Sequence, residues 1–220
     1  MISVDVQSVS FKYKGQENNV LDNVSFEIES GQIIAVTGPS GCGKSTLGYC
    51  ICGIIPGMIK GEFSGCVTLK GRAGIVFQDP DTQIFLPTTE DELAFGPENL
   101  CLPGEEIGKR ITEVLEITRL TDLRTENPSK LSDGRKQLTA FGGVLTMSPE
   151  ILILDEPFSH LDISARETLK EIIISLKKRG GTIILIEHEK KNMEIADQVW
   201  YLKYGKLKKI SSENGEFANE

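Results

Sequence analysis

Val4 and Val6, then Val9, Phe11 and Tyr13, alternate with polar neighbours, and Val24, Phe26 and Ile28 do the same beyond the polar stretch Lys14 to Asn19. A period of two puts one face on a core and the other in water, so the chain is expected to open with two antiparallel strands around a polar turn. Gln32 to Thr37, Ile151 to Leu154 and Thr182 to Ile186 differ in being apolar almost throughout. Strands covered on both faces, as in a parallel sheet, require that composition. Cys66 to Leu69 and Gly74 to Phe77 read as shorter strands, the second delivering Gln78 into a turn at Asp79-Pro80. Val199 to Leu202 and Leu207 to Ile210 flank Tyr204-Gly205-Lys206 as a hairpin.

Between these strands the period changes. Lys44 to Ile55 is expected to form a helix, and Thr88 to Phe95 carries a helix-start signal. Ile107, Ile111, Val114 and Leu115 recur at helical spacing after Pro103-Gly104. Ser132 is the expected N-cap of a helix over Asp133 to Thr146, and Leu169, Ile172, Ile173 and Leu176 mark one that stops at Gly180-Gly181. The alternation predicts an α/β fold with a mainly parallel sheet and an N-terminal antiparallel part. The expected core runs over approximately 1–86 and 149–210, with an inserted helical lobe at 87–148 and a polar tail at 211–220 that has nothing to bury.

At 220 residues and 39% hydrophobic, the chain is long enough for one well-buried domain. Its longest apolar runs fall far short of the ~18 residues a membrane span needs. Met1 leads directly into strand-like sequence rather than a leader, so a cytosolic product is expected. The five cysteines form an odd set without zinc spacing, which predicts free thiols and no structural metal. A formal charge of -8 disfavours nonspecific binding to nucleic acid.

Candidate chemistry begins at Gly38 to Thr46, G-P-S-G-C-G-K-S-T, which fits the phosphate-loop pattern G-x-x-x-x-G-K-[ST]. Its glycines let backbone N–H groups close on a polyphosphate, Lys44 reaches the outer phosphates, and the Ser45 hydroxyl can ligate a Mg²⁺ that bridges them. The apolar run before it and the helix after it supply the strand and the N-terminal dipole such a loop needs. Asp155 and Glu156 follow a buried strand, and carboxylates at that end of a parallel strand belong at the ligand crevice. Gln78 also ends a strand. Tyr13 reads locally as a half-buried sheet residue, with an aromatic ring able to stack on a base as the other reading. Cys42, inside the loop, is either an alkylation target that Mg-ATP protects or a small buried residue with an inert thiol.

Taken together, the phosphate loop, L-S-D-G-R-K-Q at 131–137, I-L-I-L-D-E-P at 151–157, S-H-L-D at 159–162 and I-E-H at 186–188 resemble the ATPase subunit of ATP-binding-cassette (ABC) transporters, over nearly the whole chain. The resemblance implies a P-loop NTPase core with a helical signature subdomain, and ATP with Mg²⁺ as cofactors. It gives Tyr13 the adenine, and Gly38, Pro39, Ser40, Gly41, Cys42, Gly43, Lys44, Ser45 and Thr46 the phosphates. Ser45, Gln78 and Asp155 go to the metal, Glu156 and Gln78 to the attacking water, and His188 to the γ-phosphate. Leu131, Ser132, Asp133, Gly134 and Arg135 match the signature that closes over ATP held by an opposing subunit, and Ser159, His160, Leu161 and Asp162 the loop that crosses the dimer. Asp133 and Arg135 depart from the usual glycine and glutamine. A carboxylate opposite a γ-phosphate is unfavourable, so the expectation is a weakened site at Asp133 and a partner cassette with an unaltered signature, an identical partner being the alternative.

V-F-Q-D-P-D-T-Q-I-F at 76–85 and T-T-E-D-E-L-A-F-G-P-E-N-L at 88–100 are similar to ATPases of energy-coupling-factor importers, including cobalt, nickel and vitamin uptake systems. That likeness implies a peripheral subunit at the cytoplasmic face of the membrane, with a transmembrane coupling protein and a substrate-binding membrane subunit as partners. A DNA-repair ATPase of the same superfamily is the competing class. Its long coiled-coil insert has no room here, since Thr46 and Leu131 are only about 85 positions apart. A regulatory cassette that binds ATP without turnover is the third. The presence of both Glu156 and His188 speaks against it.

Overall fold

The structure, a computed structural model, describes residues 1–159 and 161–210. His160 of the expected crossing loop and the polar tail from Ser211 lie outside the described residues.

Strand β1 (Ile2–Tyr13) pairs antiparallel with β2 (Leu21–Glu29) around the polar turn, and its alternate residues Val4, Val6, Val9 and Phe11 are buried. β3 (Ile33–Thr37) is buried at every position and runs into the phosphate loop, after which α1 covers Lys44–Ile51. This helix is shorter than expected. Gly53 takes a left-handed backbone (φ +73°), which ends α1 and starts the short α2 (Ile54–Gly57), so the helix does not continue to Ile55. β4 (Gly61–Leu69) begins earlier than the apolar run at Cys66 and pairs antiparallel with β1, giving a three-stranded sheet in the order β2-β1-β4.

β5 (Ala73–Val76) precedes three helices: α3 (Thr89–Asn99), α4 (Gly104–Thr118) and α5 (Asp133–Leu145). Thr88 caps α3 by accepting the N–H of Asp91 at 3.1 Å. Ile111, Val114 and Leu115 of α4 are buried, as their spacing requires. β6 (Ile151–Asp155), α6 (Ile163–Lys178), β7 (Thr182–Ile186), the single turn α7 (Lys190–Met193) and the hairpin β8 (Gln198–Lys203) with β9 (Lys206–Ile210) complete the chain. The second sheet has the order β5-β6-β7-β3-β8-β9, parallel except for β9.

The two faces of this sheet feed two cores. Leu152, Leu154, Ile183 and Leu185 pack with Leu93, Phe141, Leu169 and Ile173 of the helices. Ile34, Val36, Ile153, Ile184 and Ile186 pack with Leu47 of α1 and with Val6, Val9 and Phe11 of the antiparallel sheet. Full burial of one such side chain contributes roughly 1.5–3 kcal/mol, so each strand is held from both sides. Strand order then does the positioning. β5, β6, β7 and β3 are consecutive neighbours running in one direction, so the residues after their C-terminal ends form one row: Gln78, Asp155 and Glu156, Glu187 and His188, and the phosphate loop.

Candidate functional site

The phosphate loop is shaped by its neighbours before any ligand is considered. A Cβ on Gly38 would lie 2.1 Å from the Leu202 carbonyl oxygen, and one on Gly43, whose φ is +104°, 2.7 Å from Val20 Cγ1. Only glycine lets the chain pass these two points. Gly43 is also the N-cap of α1 and brings no side chain to cap it, which leaves the first N–H groups of the helix for an anion. The buried Lys44 ammonium donates to the carbonyl oxygens of Gly38 (2.9 Å) and Pro39 (3.0 Å) and so stands at the mouth of the loop. Pro39, Ser40, Gly41 and Cys42 border a cleft of about 660 Å³ shared with Asn18, Asn19 and Tyr204. Burial pushes the Cys42 thiol up, which favours the inert reading of that residue over the alkylation target.

Thr46 accepts from or donates to the Tyr13 hydroxyl at 3.0 Å, tying the end of β1 to α1. The Tyr13 ring is half-buried and sits edge-on against Phe11, with centroids 4.8 Å apart.

Asp155 ends β6 and is only 4% exposed. Burial pushes its carboxyl above the usual carboxylate range, the Glu156 charge adds to this, and a hydrogen bond from the Ser45 hydroxyl and the charge of Lys44 oppose it. A hydroxyl and a carboxylate joined in this way are the hard oxygen donors that Mg²⁺ takes, so the residues present fit that ion. Glu156 follows with φ +46°, a left-handed conformation that a side chain disfavours. The surroundings fix it there. Its N–H donates to the Ile186 carbonyl at 2.9 Å, and its own carbonyl accepts from the Ser159 N–H (3.1 Å) and hydroxyl (2.7 Å). Backbone strain over-determined by hydrogen bonds is a common feature of functional positions. Gln78 Nε2 donates to Glu156 Oε2 at 2.8 Å, and His188 Nδ1 lies 3.7 Å from Oε1. The structure therefore brings Gln78, Glu156 and His188 onto one carboxylate, beside Asp155, Ser45 and Lys44.

The signature residues stand apart from this cluster's phosphate loop. Leu131 and the exposed Ser132, Asp133 and Arg135 surround the start of α5. Ser132 holds the expected N-cap position with extended backbone, and its hydroxyl makes no capping hydrogen bond. Asp133 borders a cleft of about 400 Å³ with Gln78, Asp79, Asp81, Gln137 and Ser159, and no phosphate-loop residue lines it. Lys136 pairs with Asp81 at 2.8 Å, linking the signature helix to the segment after Gln78. Gly134 is buried, and a Cβ there would meet Ala165 Cβ at 3.2 Å and Leu161 Cδ2 at 3.7 Å. Asp162 caps α6 by accepting the Ala165 N–H at 2.8 Å, a role its place three residues before Ala165 could have signalled. Lys136 and Glu187 carried no expectation. Both sit inside quoted motifs, yet neither is read as functional by pattern alone.

The profile of the family described as "ABC transporter" matches residues 21–159. The chain is 42% identical over 199 residues to a Bacillus subtilis protein named "Putative HMP/thiamine import ATP-binding protein YkoD", covering 84% of this chain and 36% of that one. It thus spans little more than a third of that relative's length, as it does for the other first relatives. Among solved structures, cbiO1 from Clostridium perfringens, described as part of the ABC transporter complex cbiONQ, is 30% identical with a TM-score of 0.81, over 94% of this chain and 87% of that one. The dimeric post-hydrolysis state of the ATP-binding cassette MJ0796, bound to ADP and Pi, is 26% identical with a TM-score of 0.81, over 94% and 99%. With the phosphate loop, the two carboxylates after β6 and this architecture in the same order, the chain belongs to the ABC transporter family, as its ATP-binding and ATP-hydrolysing cassette.

Proposed function

We propose that the chain is the ATPase of an energy-coupling-factor type importer, acting at the cytoplasmic face of the membrane in a dimer of cassettes. ATP is held by Tyr13 stacked on adenine and by Gly38 to Thr46 around the phosphates, and closed over by the partner's signature. Ser45 and Asp155, with Gln78 nearby, would hold Mg²⁺, which when bound would supply charge neutralisation of the phosphoryl oxygens. Glu156 orients and deprotonates the attacking water, Gln78 contacts that water, and His188 contacts the γ-phosphate. Phosphoryl transfer asks little covalent chemistry of a protein, so positioning and charge carry the rate. Residues 159–162 cross to the partner. The nucleotide-binding core is assigned to 1–86 and 149–210, and the signature lobe to 87–148.

The observation that carries the membrane partner is a groove of about 520 Å³ between the segment after Gln78 and the helices, lined by Gln83, Phe85, Phe95, Leu100 and Met147 among others. Phe85 is 63% exposed and Phe95 44%, with their rings edge-on at 5.0 Å. Exposed paired aromatics at a concave site favour a protein partner. Gln83 gives the groove a mechanical link to the chemistry. It accepts the Phe77 N–H at 3.0 Å and donates to the Ile75 carbonyl at 3.2 Å, bracing the residues just before Gln78. One side of this groove comes from the segments 76–85 and 88–100 that are similar to energy-coupling-factor ATPases and the other from α5 and Met147, and the relative YkoD is named for HMP/thiamine import. Replacing Phe85 and Phe95 together by serine should cut co-purification with a co-expressed transmembrane coupling protein by about tenfold or more, with ATP affinity unchanged. Undiminished co-purification would remove the groove as the docking site.

A cassette with an unaltered signature is the favoured partner. Asp133 is exposed at the first turn of α5 with two further acids, Asp79 and Asp81, in its cleft, and Lys136, 2.8 Å from Asp81, offsets one of the three charges. Like charges ~4 Å apart cost about 1 kcal/mol in a water-like dielectric, which is roughly a fivefold effect on rate. Asp133→Gly should therefore speed the site that contains residue 133 about fivefold, which raises the total ATPase rate of the assembled transporter at saturating ATP by up to about twofold, because the other site is already competent. An unchanged rate would overturn the asymmetry.

A further inference from the structure

Glu187, the residue after β7, is 2% exposed. A carboxylate without water must find hydrogen bonds, and this one finds them almost entirely in the segment that carries His188. Oε1 accepts the N–H of His188 at 2.8 Å and that of Glu189 at 3.1 Å, and Oε2 accepts Asn192 Nδ2 at 3.1 Å. The Glu187 N–H donates to the Val36 carbonyl of β3 at 3.0 Å, so the anchor itself is fastened to the strand that leads into the phosphate loop. The chain of contacts continues outward. Asn192 Nδ2 also reaches Glu189 Oε2 at 3.3 Å, and Glu189 pairs at 3.3 Å with Arg166, whose other nitrogen donates to the Phe158 carbonyl at 3.4 Å, two residues beyond Glu156. The His188 ring lies between two acids, with Nδ1 3.5 Å from Glu187 Oε1 and 3.7 Å from Glu156 Oε1.

We propose that Glu187 is the positioning residue for His188: its buried carboxylate fixes the backbone of residues 188 and 189 and faces the imidazole, holding the ring against Glu156. The inference rests on the reading of His188 as the group that contacts the γ-phosphate. Charge-assisted bonds to two successive N–H groups leave the backbone little freedom to rotate, so the half-exposed ring starts from one fixed place beside Glu156 before nucleotide arrives.

The chain has two histidines, so the ring signals that a histidine-selective NMR spectrum loses in His188→Ala are those of His188. Glu187→Ala should move those signals to free-imidazole positions. It should also lower kcat for ATP about tenfold while leaving the ATP Kd within about twofold, the pattern of lost positioning rather than lost binding. Glu187→Gln should restore most of the rate. Its amide oxygen can accept the same two N–H groups, and its NH₂ can donate to Asn192 Oδ1, now buried without a hydrogen-bond partner, once the Asn192 amide turns over so that Oδ1 replaces Nδ2 opposite residue 187. In a His188→Ala background, Glu187→Ala should cost less than about twofold, because its route of action is gone. An unmoved ring signal and full kcat in Glu187→Ala would overturn the proposal, and so would an equal loss with and without His188. If His188→Ala itself keeps full turnover, the reading of His188 fails, and the ring signals still decide what Glu187 does. Should Glu187→Ala not fold, Asn192→Ala frees Oε2 alone; a shifted ring signal with a loss in kcat of about threefold then supports the proposal, and an unmoved one overturns it.

Discussion

Glu156→Gln should lower ATP turnover by ~10²-fold or more while ATP still binds. The substitution keeps the volume and one acceptor oxygen, so Gln78 can still donate into the position it now occupies at 2.8 Å. The backbone of residue 156, at φ +46°, is fixed by its bonds to Ile186 and Ser159 rather than by its side chain. What disappears is the charge that can accept a proton from water. Loss of the base with intact geometry lowers kcat, whereas loss of geometry would weaken binding as well. Steady-state ATPase and equilibrium ATP binding on the assembled protein separate the two. Turnover within about threefold of the parent would take Glu156 out of the catalytic step, and a parallel loss of ATP affinity would make its role structural.

Much of this arrangement is legible in the residues because the physics is local. A loop that must pass the Leu202 carbonyl and Val20 without a Cβ leaves glycine at 38 and 43. The runs at Ile151–Leu154 and Thr182–Ile186 are apolar throughout because α5 and α6 cover one face of the sheet and α1 with the antiparallel strands covers the other. Where the outcome depends on longer-range partners, the sequence is silent or misleading. Ile54 and Ile55 look like a continuation of α1, yet Gly53 turns the chain, and a single glycine in an apolar run does not announce its own φ. β4 starts at Gly61 because β1 is there to pair with it, a partner no window of local residues contains. Ser132 has the residue type of a cap but leaves its hydroxyl unused, while Asp162, read only as part of a crossing loop, caps α6. Glu187 was visible as one letter of a motif. Its task emerges only when the N–H groups of His188 and Glu189 are seen to converge on it. The strand order is likewise a tertiary fact, and it is what sets Gln78, Glu156 and His188 side by side.

Asp155→Asn should make the nucleotide-free chain more stable at neutral pH and, in the same protein, cost ~10²-fold or more in Mg²⁺-dependent ATP hydrolysis. Burial, first, and the neighbouring Glu156 charge raise the folded-state pKa of Asp155 above the ordinary carboxylate value, despite the Ser45 hydrogen bond and Lys44. Between those two values the folded chain binds the proton more tightly than the unfolded chain does. Stability therefore falls as pH rises through that window, and above it the charged group carries its full penalty. Asparagine removes the charge and keeps an oxygen for the Ser45 hydroxyl. Lys44 retains its bonds to the Gly38 and Pro39 carbonyls. The melting temperature should then rise by a few degrees at pH 7, and the gain should shrink as the pH is lowered toward the ordinary carboxylate range. Hydrolysis moves the other way, because the charge that destabilises the empty fold is the one that would hold a divalent cation beside the polyphosphate. Thermal melts of parent and variant across pH, with ATPase assays at several Mg²⁺ concentrations, test both halves. A variant less stable than the parent at pH 7 would show that Asp155 contributes to the fold through its attraction to Lys44 rather than against it through burial.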